Sequence, residues 1–573
     1  MTATVSTASP RRHDLDALRA FAMLLGVVFH ASLPFVTSDW MVSDWKRTDL
    51  LGPFILWVHG FRMPLFIFIS GYFTQMMWRR RGLAPMVKQR ILRVFLPMVL
   101  GVFTVLPFQD RVVAWANRRA AEADARRYST PGVRSDLVEA VRQRDTAALR
   151  KLLDAGADPN QVDPEFKQPA LSWASHLNNV EAARLLIEKG ADVNRPSPGG
   201  HRALNSAAYF GHPEVVELLL RNGADPKLKN DAGDVALDAT TKPWEEVKGI
   251  AGYLRLPWSM KEDELLRARE LCRKQLNQHV GSSASVGASS EKSPGFMDRM
   301  RRGYREFLAA DQFKVKGTLP LLRSNPPPSW HLIFTSIFDH LWFLWFLCWL
   351  VAGLVMVVGV GRMLGLPAVP SAWLTTPGAW GWLMAITMIP QLWMGVFGFG
   401  FGPDTSVGLL PQPHLLVYYG IFFGAGALYY DNGDVAGRLG ARYQWLLSVA
   451  MLGLLPLGFF TQTSVPLLSG VFQVAFAWAM SFGLIGLFRR HLSGENRTLR
   501  YLSDSAYWLY IAHHPLVALI QSILRPWDAP ALLKWFVLVL TLLSVLLLSY
   551  HVMVRNTPIG WLLNGRPKAR AKS

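Results

Sequence analysis

The sequence predicts an all-α protein: a polytopic membrane helix bundle of about ten transmembrane helices with an inserted α-solenoid. Three observations predict it. Ten apolar runs are long enough to cross a bilayer. Lys and Arg gather in alternate loops between these runs. A long polar stretch between the third and fourth runs repeats itself at intervals of 33 and 34 residues.

With 573 residues, the chain exceeds what one soluble core usually serves. Half of it is hydrophobic, with 22 Trp and 32 Phe, and this apolar content clusters into runs of membrane length. That excludes a purely soluble reading. The net charge of +19 would suggest nucleic acid in a soluble protein. Here the excess sits in short loops beside apolar runs, so topology accounts for it and no nucleic acid partner is expected. The two cysteines, Cys272 and Cys348, lie in regions of different character and suggest neither a disulfide framework nor a metal site. Asp14, Asp16 and Arg19 run straight into the first apolar run without a clear cleavage site, so it reads as a retained span.

The ten runs lie near 20–37, 54–77, 92–108, 332–360, 379–401, 414–430, 444–461, 466–488, 505–524 and 532–554. If they alternate, one side collects Arg11, Arg12, the cluster from Arg79 to Arg93, Arg362, Arg438, Arg442, Arg489, Arg490 and the basic tail. The opposite short loops are nearly free of Lys and Arg, apart from residues such as Arg525 and Lys534. The positive-inside rule then puts both termini in the cytoplasm, in a multi-pass protein of the cell inner (plasma) membrane. The expected membrane parts are 1–110, with three spans, and 331–573, with about seven.

Inside the insertion, Asp154-Ala155-Gly156-Ala157-Asp158-Pro159-Asn160 recurs as Glu188-Lys189-Gly190-Ala191-Asp192-Val193-Asn194 and as Arg221-Asn222-Gly223-Ala224-Asp225-Pro226. A leucine-rich helix precedes each glycine. Over 133–255 the pattern resembles the ankyrin family, whose repeats stack two helices and a turn. A charged helix near 260–278 and a Ser/Gly/Ala-rich linker at 281–293 follow, within 256–330, and Pro326-Pro327-Pro328 stiffens the approach to the fourth span. Parity puts the ankyrin repeats outside the cytoplasm, where they could recruit an envelope protein partner.

Chemistry-bearing residues begin in the first span. Arg19 and His30 are eleven residues apart, so both lie on nearly one helix face, about 16 Å apart along the axis. If Arg19 marks the membrane edge, His30 lies near mid-bilayer, where an ionisable group is a functional candidate. Arg90 and Arg93 open the third span as i,i+3 neighbours whose guanidinium groups can face one phosphate cluster. His59 and Arg62 sit at the outer end of the second span. His340 follows Asp339 at the outer end of the fourth, and His513 and His514 precede Pro515 in the ninth. Taken singly, Arg19 reads better as a snorkelling interfacial charge and Arg90 and Arg93 as positive-inside charges, while His30 reads equally well as a helix-bonding histidine. One of His513 and His514 is expected in a cavity, the other on carbonyls freed by Pro515. Asp504 reads as a helix N-cap or a histidine partner. No metal-ligand spacing stands out.

The arrangement of Arg19, ten residues and His30, with Arg90-Ile91-Leu92-Arg93 after it, resembles the membrane acyltransferase-3 family. Closest is its branch that succinylates osmoregulated periplasmic glucans. The matching segments are 24–33, His59-Gly60-Phe61-Arg62-Met63, Ile69-Ser70-Gly71-Tyr72-Phe73, His340-Leu341-Trp342-Phe343-Leu344, His513-His514-Pro515-Leu516 and Gly565-Arg566-Pro567. The ankyrin insertion departs from that branch. The resemblance implies transfer of an acyl group, succinyl in that branch, from cytoplasmic acyl-CoA to a carbohydrate hydroxyl outside. It makes His30 and Arg19 catalytic and Arg90 and Arg93 the acyl-CoA-binding pair. His59, Arg62, His340, His513 and His514 become candidates for the acceptor site or cavity. Acyl-CoA is then a donor substrate, with no tightly bound cofactor. Two other classes compete: an exporter of a glycan or small molecule with a histidine proton relay, and a membrane-anchored ankyrin scaffold.

Overall fold

The computed structural model describes residues 12–565 apart from 38–39, 129–135, 164–165, 231–233, 243, 255, 257–259, 281–295, 317–328, 366, 368, 377, 396–400, 435 and 463–464. The linker at 281–293, Pro326-Pro327-Pro328, Arg11 and the Arg566-Pro567 tail therefore lie outside the described residues. The chain divides into two compact units: Met1–Ala120 with Phe296–Ser573, and Ala121–Gly295. Four helices come first, α1 (His13–Ser32), α2 (Gly52–Arg81), α3 (Leu83–Arg90) and α4 (Leu96–Tyr128). A single π turn at Ile91–Phe95 joins α3 to α4. The helix continues through Gln109, Asp110 and Arg111, past the end of the apolar run at 108.

The second unit is the repeat array. Its helices are α5 (Asp136–Arg142), α6 (Thr146–Asp154), α7 (Ala170–His176), α8 (Val180–Glu188), α9 (Ala203–Phe210), α10 (Pro213–Arg221), α11 (Ala236–Ala239) and α12 (Trp244–Tyr253), then the charged α13 (Glu262–Val280). The repeating glycines end α6, α8 and α10 at positive φ, with 90°, 92° and 88° at Gly156, Gly190 and Gly223. The repeating asparagines clip one repeat to the next. Asn194 Nδ2 donates to Gly223 O at 3.0 Å, and its Oδ1 accepts from Asp225 N at 2.9 Å. Asn160 makes the same pair with Gly190 O and Asp192 N. His176 and His212 are buried, and His212 Nε2–H reaches His176 O at 3.2 Å. Burial pushes His176 down to about 3 and His212 down to about 4. An unfolded histidine titrates near 6.5, so the unfolded state binds the extra proton first as pH falls. The array should thus be most stable above about pH 6.5 and lose up to about 1.4 kcal/mol per histidine per pH unit down to about pH 4. Amide exchange of α7, α9 and α10 in the intact protein should quicken across that window; protection that stays constant would contradict it.

The remaining helices return to the first unit: α14 (Phe296–Ala309), α15 (Trp342–Met363), α16 (Ala379–Gln391), α17 (Pro413–Asn432), α18 (Tyr443–Val449), α19 (Leu455–Phe460), α20 (Pro466–His491), α21 (Arg497–Leu524), α22 (Ala531–Ser549) and α23 (Pro558–Asn564). A short antiparallel ribbon pairs Lys314–Lys316 with Ser329–His331. Every apolar run predicted to span has a helical counterpart. Among the described residues, seven helical stretches are long and apolar enough to cross a membrane. Three of the ten expected fall outside that set. α16 has only 13 residues. α17 and α21 are long enough but carry more polar side chains, and α21 includes His513, His514 and Gln521. α21 packs against α1 and α22, and α1 also against α2 and α20.

Two further packing features position the site. α2 and α17 meet at glycines: a Cβ on Gly426 would lie 1.9 Å from Phe68 O, and one on Gly71 2.0 Å from Phe423 O. Gly426→Val should destabilise the bundle by about 3 kcal/mol, read as a lowered thermal transition in detergent. Gly424→Ala, where an added Cβ meets nothing within 4 Å, should leave it unchanged. The second feature ties the segment between α1 and α2 to the bundle. Lys534 Nζ donates to Asp44 at 3.0 Å with both side chains fully buried, and Gln521 Nε2 donates to the same carboxylate at 2.8 Å. Lys534, an exception to the basic-loop pattern, is therefore half of an internal ion pair rather than a topological charge.

Candidate active site

α1 carries one part of the site near its start and the other near its end. At the first, Arg19 Nη2 donates to Ser503 Oγ at 2.8 Å, lies 3.6 Å from Asp16, and sits over the Phe73 ring at 5.5 Å. Arg90 Nη2 donates to Thr74 Oγ1 at 2.6 Å, while its Nε is buried without a partner. It lies within electrostatic reach of Arg19 and Arg93. Arg93 packs on Gly565, where a Cβ would come 2.1 Å from Nη2. The π turn that holds Arg93 bonds i to i+5, so it opens the angle from Arg90. The pair therefore reaches different neighbours instead of lying parallel. Two further guanidinium groups within reach of Arg90 favour an anion beside it.

The far end of α1 is a histidine cluster. His30 Nδ1 and His513 Nε2 are 2.7 Å apart. Their proton positions follow from their other partners. His513 Nδ1–H donates to Tyr510 O at 2.7 Å and Leu509 O at 3.2 Å, so His513 Nε2 is an acceptor. His30 must then donate from Nδ1, which leaves the lone pair on His30 Nε2. His514 Nδ1–H donates to Gln109 Oε1 at 3.3 Å, and Gln109 Nε2 donates to Asp339 at 3.4 Å. His340 Nε2–H donates to Ile511 O at 3.0 Å. Pro515 has no N–H to give the carbonyl four residues back, which is that of Ile511. The carbonyl freed by Pro515 is thus bonded by His340 from another segment, and not by His513 or His514.

His30, His340 and His513 line a narrow cavity with Arg62, Tyr510, Phe343, Met63 and Gly26. Its free volume of about 30 Å³ holds roughly two waters. Arg62 reaches over Phe29 at 5.3 Å, and its Nε is buried without a partner. His59, one turn earlier, stacks on Phe29 at 6.1 Å and sits against Gly402, outside the cavity lining. His514 stacks on His340 at 4.4 Å. Ligand atoms of His30, His513 and His514 lie within 4.8 Å of one another, a grouping that could hold a metal ion and that the sequence spacing did not reveal. His30 Nδ1 and His513 Nε2 are already joined by a hydrogen bond, and no carboxylate among the described residues lines the cavity beside Arg62. The arrangement suits proton movement and an anionic ligand better than a cation.

Several neighbours carried no sequence signal. Trp40 stacks on His30 at 5.7 Å and meets His514 edge-on at 5.1 Å, and nothing in its segment marks it. Gln109 is a buried amide at the end of an apolar run, a weak cue in itself. Asp339 does not orient His340 directly; it is joined through Gln109 to His514. Asp504 is not the N-cap of α21. Asn496 is, accepting from Leu499 N at 3.0 Å, and Asp504 lies two turns inside.

Two family profiles match the chain. The acyltransferase-3 family, described as an acyltransferase domain, matches residues 12–126 and 303–554. Ankyrin repeats, in three copies, match residues 137–230. Glucans biosynthesis protein C of Salmonella paratyphi B and that of Salmonella heidelberg are each 40% identical over 97 residues, 17% of this chain and 25% of the relative. The match thus spans a quarter of those relatives' length. The ankyrin repeat domain of Bcl-3, a member of the IkappaB protein family, is 29% identical over 22% of this chain and 57% of that one, with a TM-score of 0.18. With the acyltransferase profile matching well over half of its residues, on both sides of the ankyrin repeats, the chain belongs to the acyltransferase-3 family.

Proposed function

We propose that the protein is an integral membrane O-acyltransferase that moves an acyl group from cytoplasmic acyl-CoA to a hydroxyl of an extracytoplasmic glycan. The observation that carries this reading is the tautomer chain of the cluster: His513 fixes His30 with its basic Nε2 beside a cavity. His30 takes the proton of the attacking hydroxyl, and His513, itself held by backbone carbonyls, orients it. Arg90 and Arg93, with Arg19 beside them, receive the phosphates of acyl-CoA at the other end of α1. The name of the relatives, glucans biosynthesis protein C, suggests a glucan acceptor, and the family resemblance suggests succinyl as the acyl group. The three helical stretches before the insertion are each long and apolar enough to span. With the basic residues beside these spans, this supports the N-terminus and the arginine end in the cytoplasm of an inner-membrane protein; the C-terminus joins them if α16, α17 and α21 also cross, which makes ten crossings. It also supports the repeats lying on the opposite side, where they would engage an envelope protein. Inside-out vesicles given labelled acyl-CoA outside and glucan within should accumulate ester-linked label in the lumen. Glucan leaving or entering the vesicles without an ester product would favour an exporter instead.

A further inference from the structure

Arg62 is a charge without a counter-ion among the described residues. Among the described residues it makes no hydrogen bond or ion pair, and its Nε is shut off from solvent. Its guanidinium carbon lies over the face of Phe29 at 5.3 Å, which supplies only a weak attraction. The side chain lines the same cavity as His30, Tyr510 and His513. Across from it, Gly26 provides the space: a Cβ there would lie 1.9 Å from Arg62 Nη1. An unpaired cation inside a helix bundle is costly, and no carboxylate among the described residues lines this cavity. Such a group is explained if an anion forms beside it during turnover.

Acyl transfer forms one. The hydroxyl oxygen attacks the thioester carbonyl carbon, a C–O bond forms, and the carbonyl π pair moves onto its oxygen. His30 Nε2 takes the hydroxyl proton. The intermediate then collapses: C=O re-forms, the C–S bond breaks, and the departing thiolate recovers the proton from His30. We propose that Arg62 stabilises the oxyanion of this intermediate, as a catalytic residue and not as a group that holds the acceptor. The inference rests on the acyltransfer reading. A preorganised donor aimed at developing charge is worth most where it is shielded from water, and Arg62 Nε is buried. A carboxylate carried on the acyl chain is the other anion that could meet Arg62.

The test compares the wild type, Arg62→Met and Arg62→Lys in nanodiscs, with acetyl-CoA and succinyl-CoA as donors. Arg62→Met should lower kcat by about 10²–10³-fold with each donor that the wild type uses, and leave KM for the donor within about threefold. Arg62→Lys, which keeps the charge without the planar fork, should retain part of the rate. The melting temperature of Arg62→Met should hold or rise, because an unpaired buried charge has been removed. An Arg62→Met enzyme with near wild-type kcat would overturn the proposal. So would a loss confined to succinyl-CoA in an enzyme whose wild type uses both donors, a rise in donor KM larger than the fall in kcat, or a fall in melting temperature that tracks the loss of rate. A wild-type protein that transfers no acyl group from either donor would overturn the acyltransfer reading as well, so the two failures are told apart.

Discussion

His30→Ala is expected to lower acyl transfer by about 10²–10⁴-fold while the protein still inserts and folds. The expectation follows from one atom. His30 Nε2 is the lone pair that the His513 hydrogen bond leaves beside the cavity. Alanine removes the proton acceptor and leaves His513 Nε2 without its donor. Space equal to a few waters then lies beside it, so the structural cost stays small. Transfer should therefore fall without loss of membrane insertion or of the thermal transition. Full activity in this variant would remove the general-base role.

Arg90→Ala combined with Arg93→Ala is expected to raise KM for acyl-CoA by about 10²-fold or more and to change kcat at saturating donor far less. Hydrogen bonds between charged groups contribute about 1.5–3 kcal/mol each, and the double variant removes two sets of them. The π turn sets the two side chains at different angles, Arg90 towards Thr74 and Arg93 towards Gly565, so they can hold different parts of an extended polyphosphate donor. Each single substitution should give part of the effect. An unchanged dependence on donor concentration would make the pair topological charges only.

Much of the fold was legible in the sequence, because apolar runs and a repeat with fixed glycines are local signals. The glycines at 156, 190 and 223 announce positive-φ helix ends wherever the chain packs. The span count was less legible for a physical reason. α21 holds two of the clustered histidines, and the side chains that make it a candidate for chemistry also make it less apolar. Helix periodicity put Arg19 and His30 on one face of α1, but not the partner opposite His30, since His513 lies 483 residues away in sequence. A regular i,i+3 spacing could not show the π turn between Arg90 and Arg93. Nor could any pattern show that Lys534 pairs with Asp44, or that His340 answers the carbonyl freed by Pro515.

If His30 is the base for acyl transfer to an envelope glycan, the glycan itself carries the readout. Mass spectrometry of envelope glycans from cells that lack the protein, produce the intact chain, or produce His30→Ala at the same membrane level tests it directly. The intact chain should add a mass increment that names the acyl group, and His30→Ala should match cells without the protein. Equal increments with the intact chain and with His30→Ala would contradict the account.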